Sequence, residues 1–125
     1  MNVPEHYSPV MPYFLVPDAA EFIRFLETIF DAEEILKVAG DDGTVIHAEY
    51  SINGGTIMLG QASGKWEAQP CAVFVVTDKV DEIYQKGLDA GGSGNQEPSD
   101  MDYGRAAGFK DKWGNQWWLN EPSGE

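Results

Sequence analysis

The chain has one cysteine and two histidines in 125 residues. A single thiol cannot close a disulfide within the chain, and no Cys/His cluster has the spacing of a zinc site. Basic residues are scarce too: eight Lys and Arg stand against 21 Asp and Glu, for a formal net charge of −13. Binding to a phosphate backbone depends on clustered Lys and Arg, so this balance argues against a nucleic-acid partner. The acids are dispersed rather than run together, the pattern of a solvated acidic surface. No apolar run is long enough to span a bilayer. The opening MNVPEHYSPVMPYF lacks the basic region and apolar run of a secretion signal. The expectation is a cytoplasmic protein with no membrane partner, and this length suffices for one domain, residues 1–125, with a real core.

What is present is organised as a repeat. Asp18 and Asp78, Ile23 and Ile83, Ala32 and Gly92, Gly54 and Gly114, and Leu59 and Leu119 each stand 60 residues apart. A first module, about 10–62, opens with a strand near Met11 to Val16. Asp18 then caps the helix AAEFIRFLETIF, whose Phe22, Ile23, Leu26, Ile29 and Phe30 form an apolar stripe. Strands follow near Glu34 to Val38, Val45 to Ile52 and Thr56 to Leu59, parted by the turn signals Asp41-Asp42-Gly43 and Asn53-Gly54-Gly55. QASGKWEAQP reads as a polar linker. A second module, about 70–121, repeats the order: CAVFVV, a helix from Lys79 carrying Val80, Ile83, Tyr84 and Leu88, and strands near Asn95 to Asp102, Arg105 to Lys110 and Gln116 to Leu119. Pro98 marks the first of those three as an edge strand. Each module is β-α-β-β-β, an α+β pattern. One module alone leaves an apolar sheet face uncovered, so two are expected to pair about a pseudo-twofold axis.

The segments PYFLVPDAAEFIRFLETIFDAEEILKV, HAEYSINGGTIMLGQ, VVTDKVDEIYQKGLDAGG and YGRAAGFKDKWGNQWWL, in this order, resemble the vicinal oxygen chelate superfamily. This is the glyoxalase/bleomycin resistance/dioxygenase group, and the resemblance is to its PhnB-like branch. It implies two βαβββ modules forming a curved mixed sheet around a cavity, a small-molecule ligand and a homodimer. The chain departs from the family at Asp111-Lys112-Trp113-Gly114, where Asp-Pro-Phe-Gly is usual. It departs again at Tyr103-Gly104-Arg105, one residue shorter than Tyr-Gly-Asp-Arg.

Metal-dependent relatives draw up to four ligands, usually His or Glu, from the first and last strands of each module. The landmarks Val-x-Asp and Gly put Met11, Met58, Cys71 and Trp118 at those positions, and the 60-residue repeat pairs Met11 with Cys71 and Met58 with Trp118. Two thioethers, a thiol and an indole do not make a site for zinc, iron, nickel or magnesium. They read instead as the lining of an apolar, metal-free cavity without a cofactor. Trp117 and Leu119 are expected in the core, with Trp118 on the opposite face closing the cavity.

Other residues join this picture. Tyr13 shares the face of Met11 and Leu15, where its hydroxyl can orient a ligand. Tyr103 and Arg105 are candidates for an anionic ligand group, with a surface ion pair as the alternative for Arg105. His47 and Glu49 share one strand face with Val45 and Ser51, opposite the more apolar Ile46, Ala48, Tyr50 and Ile52. They are the catalytic candidates, a base and the carboxylate that orients it, and the family often has His-Ala-Glu there. His6, in an irregular segment, reads as solvated. Three functions follow, the first being metal-free binding of a small, partly aromatic molecule and the second a metal-dependent lyase, isomerase or dioxygenase with His47 and Glu49 as ligands. A metal-free enzyme with His47 as base is the third.

Overall fold

A computed structural model describes residues 1–124. The chain divides into two compact units, Met1–Gln69 and a second from Pro70 onward. Each holds one four-stranded mixed sheet and one helix, an α+β architecture in which neither sheet closes into a barrel.

In the first unit β1 (Tyr13–Val16) leads into α1 (Ala19–Phe30), followed by β2 (Glu33–Ala39), β3 (Val45–Ile52) and β4 (Gly55–Gln61). The sheet order is β1-β4-β3-β2, with β1 parallel to β4 and the other pairs antiparallel. Asp18 caps α1 by accepting from the amide of Glu21 at 3.1 Å, which satisfies one of the helix's orphan donors. The stripe read from the sequence is buried, with Phe25 and Ala19 added to it. It packs on Phe14, Ala48, Tyr50, Ile57 and Leu59, all of which are buried. Each of the Phe, Ile and Leu side chains contributes roughly 1.5–3 kcal/mol on leaving water. The Asn53-Gly54 turn between β3 and β4 has both residues at positive φ, 50° and 86°, the twist a two-residue hairpin needs.

In the second unit β5 (Ala72–Val76) precedes α2 (Val80–Asp89), β6 (Ser93–Met101), β7 (Gly104–Lys110) and β8 (Gln116–Pro122), in the order β5-β8-β7-β6. The ladder between β6 and β7 shifts register between Gln96 and Ser99, and that irregularity absorbs Pro98 on an edge strand. Val80, Ile83 and Gly87 of α2 are buried, as are Ala107, Phe109, Trp117 and Leu119 of the sheet.

The structure corrects the repeat by one residue in its first strand and helix. Met58 and Trp118, 60 apart, occupy matching places in β4 and β8. Their partners across the parallel ladder are Tyr13 and Phe74, which are 61 apart. The same slip carries into the helices, whose caps are Asp18 and Lys79 rather than Asp18 and Asp78. Met11 therefore corresponds to Ala72 rather than Cys71, and a one-residue slip in a strand reverses every side chain. Cys71 falls on the alternation of Val73 and Val75, not on that of Phe74 and Trp118.

Candidate functional site

The face of the first sheet directed away from α1 carries a row of cross-strand neighbours: Tyr13 on β1, Met58 on β4 and Glu49 on β3. His47 lies two residues before Glu49 on the same strand and face. Glu49 is 1% exposed, and its carboxylate is held by three side chains. His47 Nε2 lies 2.8 Å from Oε2 and His6 Nε2 2.7 Å from Oε1. The Tyr7 hydroxyl donates to Oε2 at 2.8 Å. Thr56 ties the segment bearing His6 and Tyr7 to β4 by donating from Oγ1 to the His6 carbonyl.

Burial would push the Glu49 carboxyl upward, but the hydrogen bonds from His47, His6 and Tyr7, with the charge of His47, outweigh it and bring it down to about 2. An ionised carboxylate only accepts, so both histidines present Nε2–H to it. His47 Nδ1 in turn lies within hydrogen-bonding distance, 3.0 Å, of the Tyr13 hydroxyl. The two rings stack, with centroids 5.6 Å apart and planes 30° from parallel. Burial and the Glu49 charge raise the Tyr13 pKa, so the phenol keeps its proton. Gly60 permits this arrangement. A Cβ there would sit 2.6 Å from the Ile46 carbonyl oxygen and 3.0 Å from the Tyr13 hydroxyl.

Tyr13 and His47 stand in the wall of a cleft of about 530 Å³, with Leu15, Ile46, Ser63 and Trp66 among its other lining residues. The loop that brings Trp66 to it is fixed by Ser63: its amide donates to the Trp66 carbonyl at 2.8 Å, and its Oγ accepts from the Trp66 amide at 3.3 Å. Gln61 pins the end of β4 to the start of α1, accepting from the Ala19 amide and donating to the Pro17 carbonyl. Sequence reasoning assigned Trp66 to a linker and His6 to solvent, and the second is corrected: His6 is bound to a buried carboxylate. The signal available for Trp66 was a large aromatic in an otherwise polar segment. For His6 it was the partner that an inward-facing Glu49 requires.

Of the other residues expected around a ligand, Met11 and Met58 are half-buried in the first unit, and Cys71 is half-buried at the start of the second. Trp117 is fully buried, whereas Trp118 is 41% exposed in a row with Phe74 and Gly108. In that row Gly108 stands where the first unit has Glu49, and Ala106 where it has His47. Tyr103 is exposed. Arg105 lies on the helix side of its sheet and forms the surface ion pair. Its Nε and Nη2 donate to the two Asp81 oxygens at 3.0 and 2.8 Å, and Nη1 to Asp100 at 3.3 Å. Its donors are thus directed to protein carboxylates.

The motif DKWGNQWW is explained by Asp111, which is buried. Its Oδ1 accepts from the amides of Trp113 and Asn115, and its Oδ2 accepts from Asn115 Nδ2 and from the Trp117 indole at 2.8 Å.

The metal that the fold suggests does not suit this donor set. Met11, Met58 and Trp118 offer thioethers and an indole, and Cys71 is displaced by the register slip. Among the described residues no group of three His, Cys, Asp or Glu is placed to hold a metal. His6 and His47 each direct Nε2 at a different oxygen of Glu49 rather than at a common point. No described helix is long and apolar enough to cross a membrane.

An uncharacterized protein of Mycobacterium bovis is 33% identical over 123 residues, covering 89% of this chain and 81% of that protein. The structure is similar to TioX from Micromonospora sp. ML1, with a TM-score of 0.74, 22% identity and coverage of 93% of this chain and 99% of that one. It is also similar to the fosfomycin resistance protein FosX from Listeria monocytogenes complexed with Mn(II) and sulfate ion, with a TM-score of 0.66, 21% identity and coverage of 94% and 92%. At these identities the structural likeness speaks to the fold alone. A model of the Glyoxalase/Bleomycin resistance protein/Dioxygenase superfamily matches residues 6–119, and the chain belongs to that superfamily.

Proposed function

We propose that this protein binds a small, partly aromatic molecule without a metal, in the cleft beside Tyr13 and His47. The observation that carries the reading is the composition of that cleft. Tyr13, His47 and Trp66 provide ring surfaces, Leu15 and Ile46 provide aliphatic ones, and Asp42, Thr44, Gln61 and Ser63 provide polar groups around them. A volume of about 530 Å³ lies within the range of roughly 300–1,000 Å³ typical of small-molecule sites. The donor chemistry of Met11, Met58, Cys71 and Trp118 supports the metal-free part, because none of them is a ligand of the kind such metals need.

Calorimetric titration with indole in the presence of EDTA tests this. Saturable binding at one site per chain is expected, unchanged by the chelator. Trp66→Ala should weaken it roughly three- to tenfold, the equivalent of ~0.5–1.5 kcal/mol for an aromatic pair. No heat of binding from indole, or binding that appears only when a divalent metal is supplied, would overturn the reading.

A further inference from the structure

We infer that the cleft beside Tyr13 and His47 takes its aromatic ligand as a cation, an aryl-alkylamine whose ring lies against Trp66 and whose ammonium group is met by the Asp42 carboxylate. The inference rests on the binding reading above and names the ligand class for the same cleft.

Among the described residues lining the cleft, Asp42 is the only one with a fixed charge at neutral pH, and no Lys, Arg or Glu joins it. Its Oδ1 accepts from the Thr44 amide at 2.9 Å. That bond, and after it one from the Thr44 hydroxyl, holds the Asp42 carboxyl below the usual carboxylate value, so the group is ionised at any pH where an alkylamine is protonated and the fold is intact. A carboxylate has about four acceptor positions, so the bonds from Thr44 leave capacity for an ammonium group. The hairpin between β2 and β3 fixes the residue in place. The Gly40 amide donates to the Thr44 carbonyl at 2.8 Å, and the Gly43 amide to the Gly40 carbonyl at 3.0 Å. Gly43 has a φ of 84°, the left-handed conformation that lets this turn close. A ligand therefore has little order to impose on the acceptor that receives it.

The rings favour the same sign of charge. The face of a Trp or Tyr ring attracts an ammonium group, and Trp66 already has one over it: Lys65 Nζ lies 5.6 Å from the ring centroid, although Lys65 is not itself a lining residue. His47 does not oppose a cation, since any charge on its imidazole is countered by the ionised Glu49 carboxylate 2.8 Å from Nε2. An anionic ligand meets the reverse. Its charge would stand beside Asp42 with no guanidinium or ammonium on the wall to receive it, and Arg105 directs its donors to Asp81 and Asp100 instead. The net charge of −13 acts in the same sense at longer range, raising the local concentration of cations over anions.

Calorimetric titrations with tryptamine, indole and indole-3-propionate, which share one ring system and differ in charge, test this. Tryptamine is expected to bind about three- to tenfold more tightly than indole, the reach of an exposed ion pair together with a cation–π contact, and indole-3-propionate more weakly than indole. The preference for the amine should shrink as salt is added, because the pair is open to screening. Asp42→Asn keeps an acceptor for the Thr44 amide and removes the charge. It should abolish most of the preference while leaving indole binding within about twofold of wild type. Glu33→Gln removes the same charge from the far end of β2 and should retain the preference, which separates the local carboxylate from the overall charge. Circular dichroism confirms that each variant is folded. Indole binding with no preference for tryptamine, or a preference equal in wild type and Asp42→Asn, overturns the cationic ligand and leaves the binding reading standing. No heat of binding from either indole or tryptamine overturns both.

Discussion

Glu49 keeps its charge in a nearly dry position because His47, His6 and Tyr7 all donate to it, and this makes its contribution to stability depend on pH. Its carboxyl is lowered from 4.5 to about 2 in the folded protein. A lowered carboxylate pKa gives stability that is fully present above the unfolded value and is lost as the pH falls through the folded one. Urea unfolding should therefore show wild type losing stability between about pH 4.5 and about pH 2 that Glu49→Gln does not lose. Parallel curves for the two proteins across that window would mean that the carboxylate is not held as described. His47 and Glu49 were readable as a pair because two residues apart on a strand means one face. His6 was not, since its partner lies 43 residues away and no local pattern marks it. Asp111 was visible only as part of a departure from the family motif. Its role depends on the Trp117 indole, whose direction is set by packing.

At the level of elements, the strands and helices were the most legible part of the chain. The span Val45–Ile52 agrees at both ends, and the α1 stripe is the buried face of the helix. The register of the second module was less legible. A repeat of identities 60 residues apart is satisfied by β4 and β8 but misplaces β5 by one position, and only the ladder between Phe74 and Trp118 fixes it. Close approach between elements is equally hidden from the sequence, as at Gly60, where the backbone of β3 and the Tyr13 ring leave no room for a methyl group. Gly60→Ala is expected to cost roughly 1–3 kcal/mol, the usual range for overpacking, and to displace Tyr13 from His47. Gly64→Ala, with nothing within 4 Å of the new Cβ, should stay within about 0.5 kcal/mol of wild type. Equal denaturation midpoints for the two variants would contradict the crowding at Gly60.

For the whole molecule, the two modules share an order of elements but not a chemistry. The row Tyr13, Met58, Glu49 in the first has its counterpart in Phe74, Trp118, Gly108 in the second. The titratable Glu49 and His47 of one module are matched by Gly108 and Ala106 in the other, and Tyr13 and Met58 by Phe74 and Trp118. A repeat that has diverged in this way keeps the folding pattern, which depends on apolar periodicity, while the side chains on the remaining face are free to change. Met11, Met58, Cys71 and Trp118 carry thioethers, a thiol and an indole rather than imidazoles or carboxylates, and this chemistry makes a prediction for the intact protein. After incubation with zinc, nickel, iron(II) or manganese and then desalting, elemental analysis of untagged protein should find well under one equivalent of each per chain. Glu49 is already bound by His47 and His6, so a metal would have to displace both imidazoles from that carboxylate, and among the described residues no group of three His, Cys, Asp or Glu is placed to hold it. Retention of about one equivalent that disappears in Glu49→Ala and His47→Ala would show that these residues rearrange into a metal site and would move the chemistry of this chain to the Lewis-acid class.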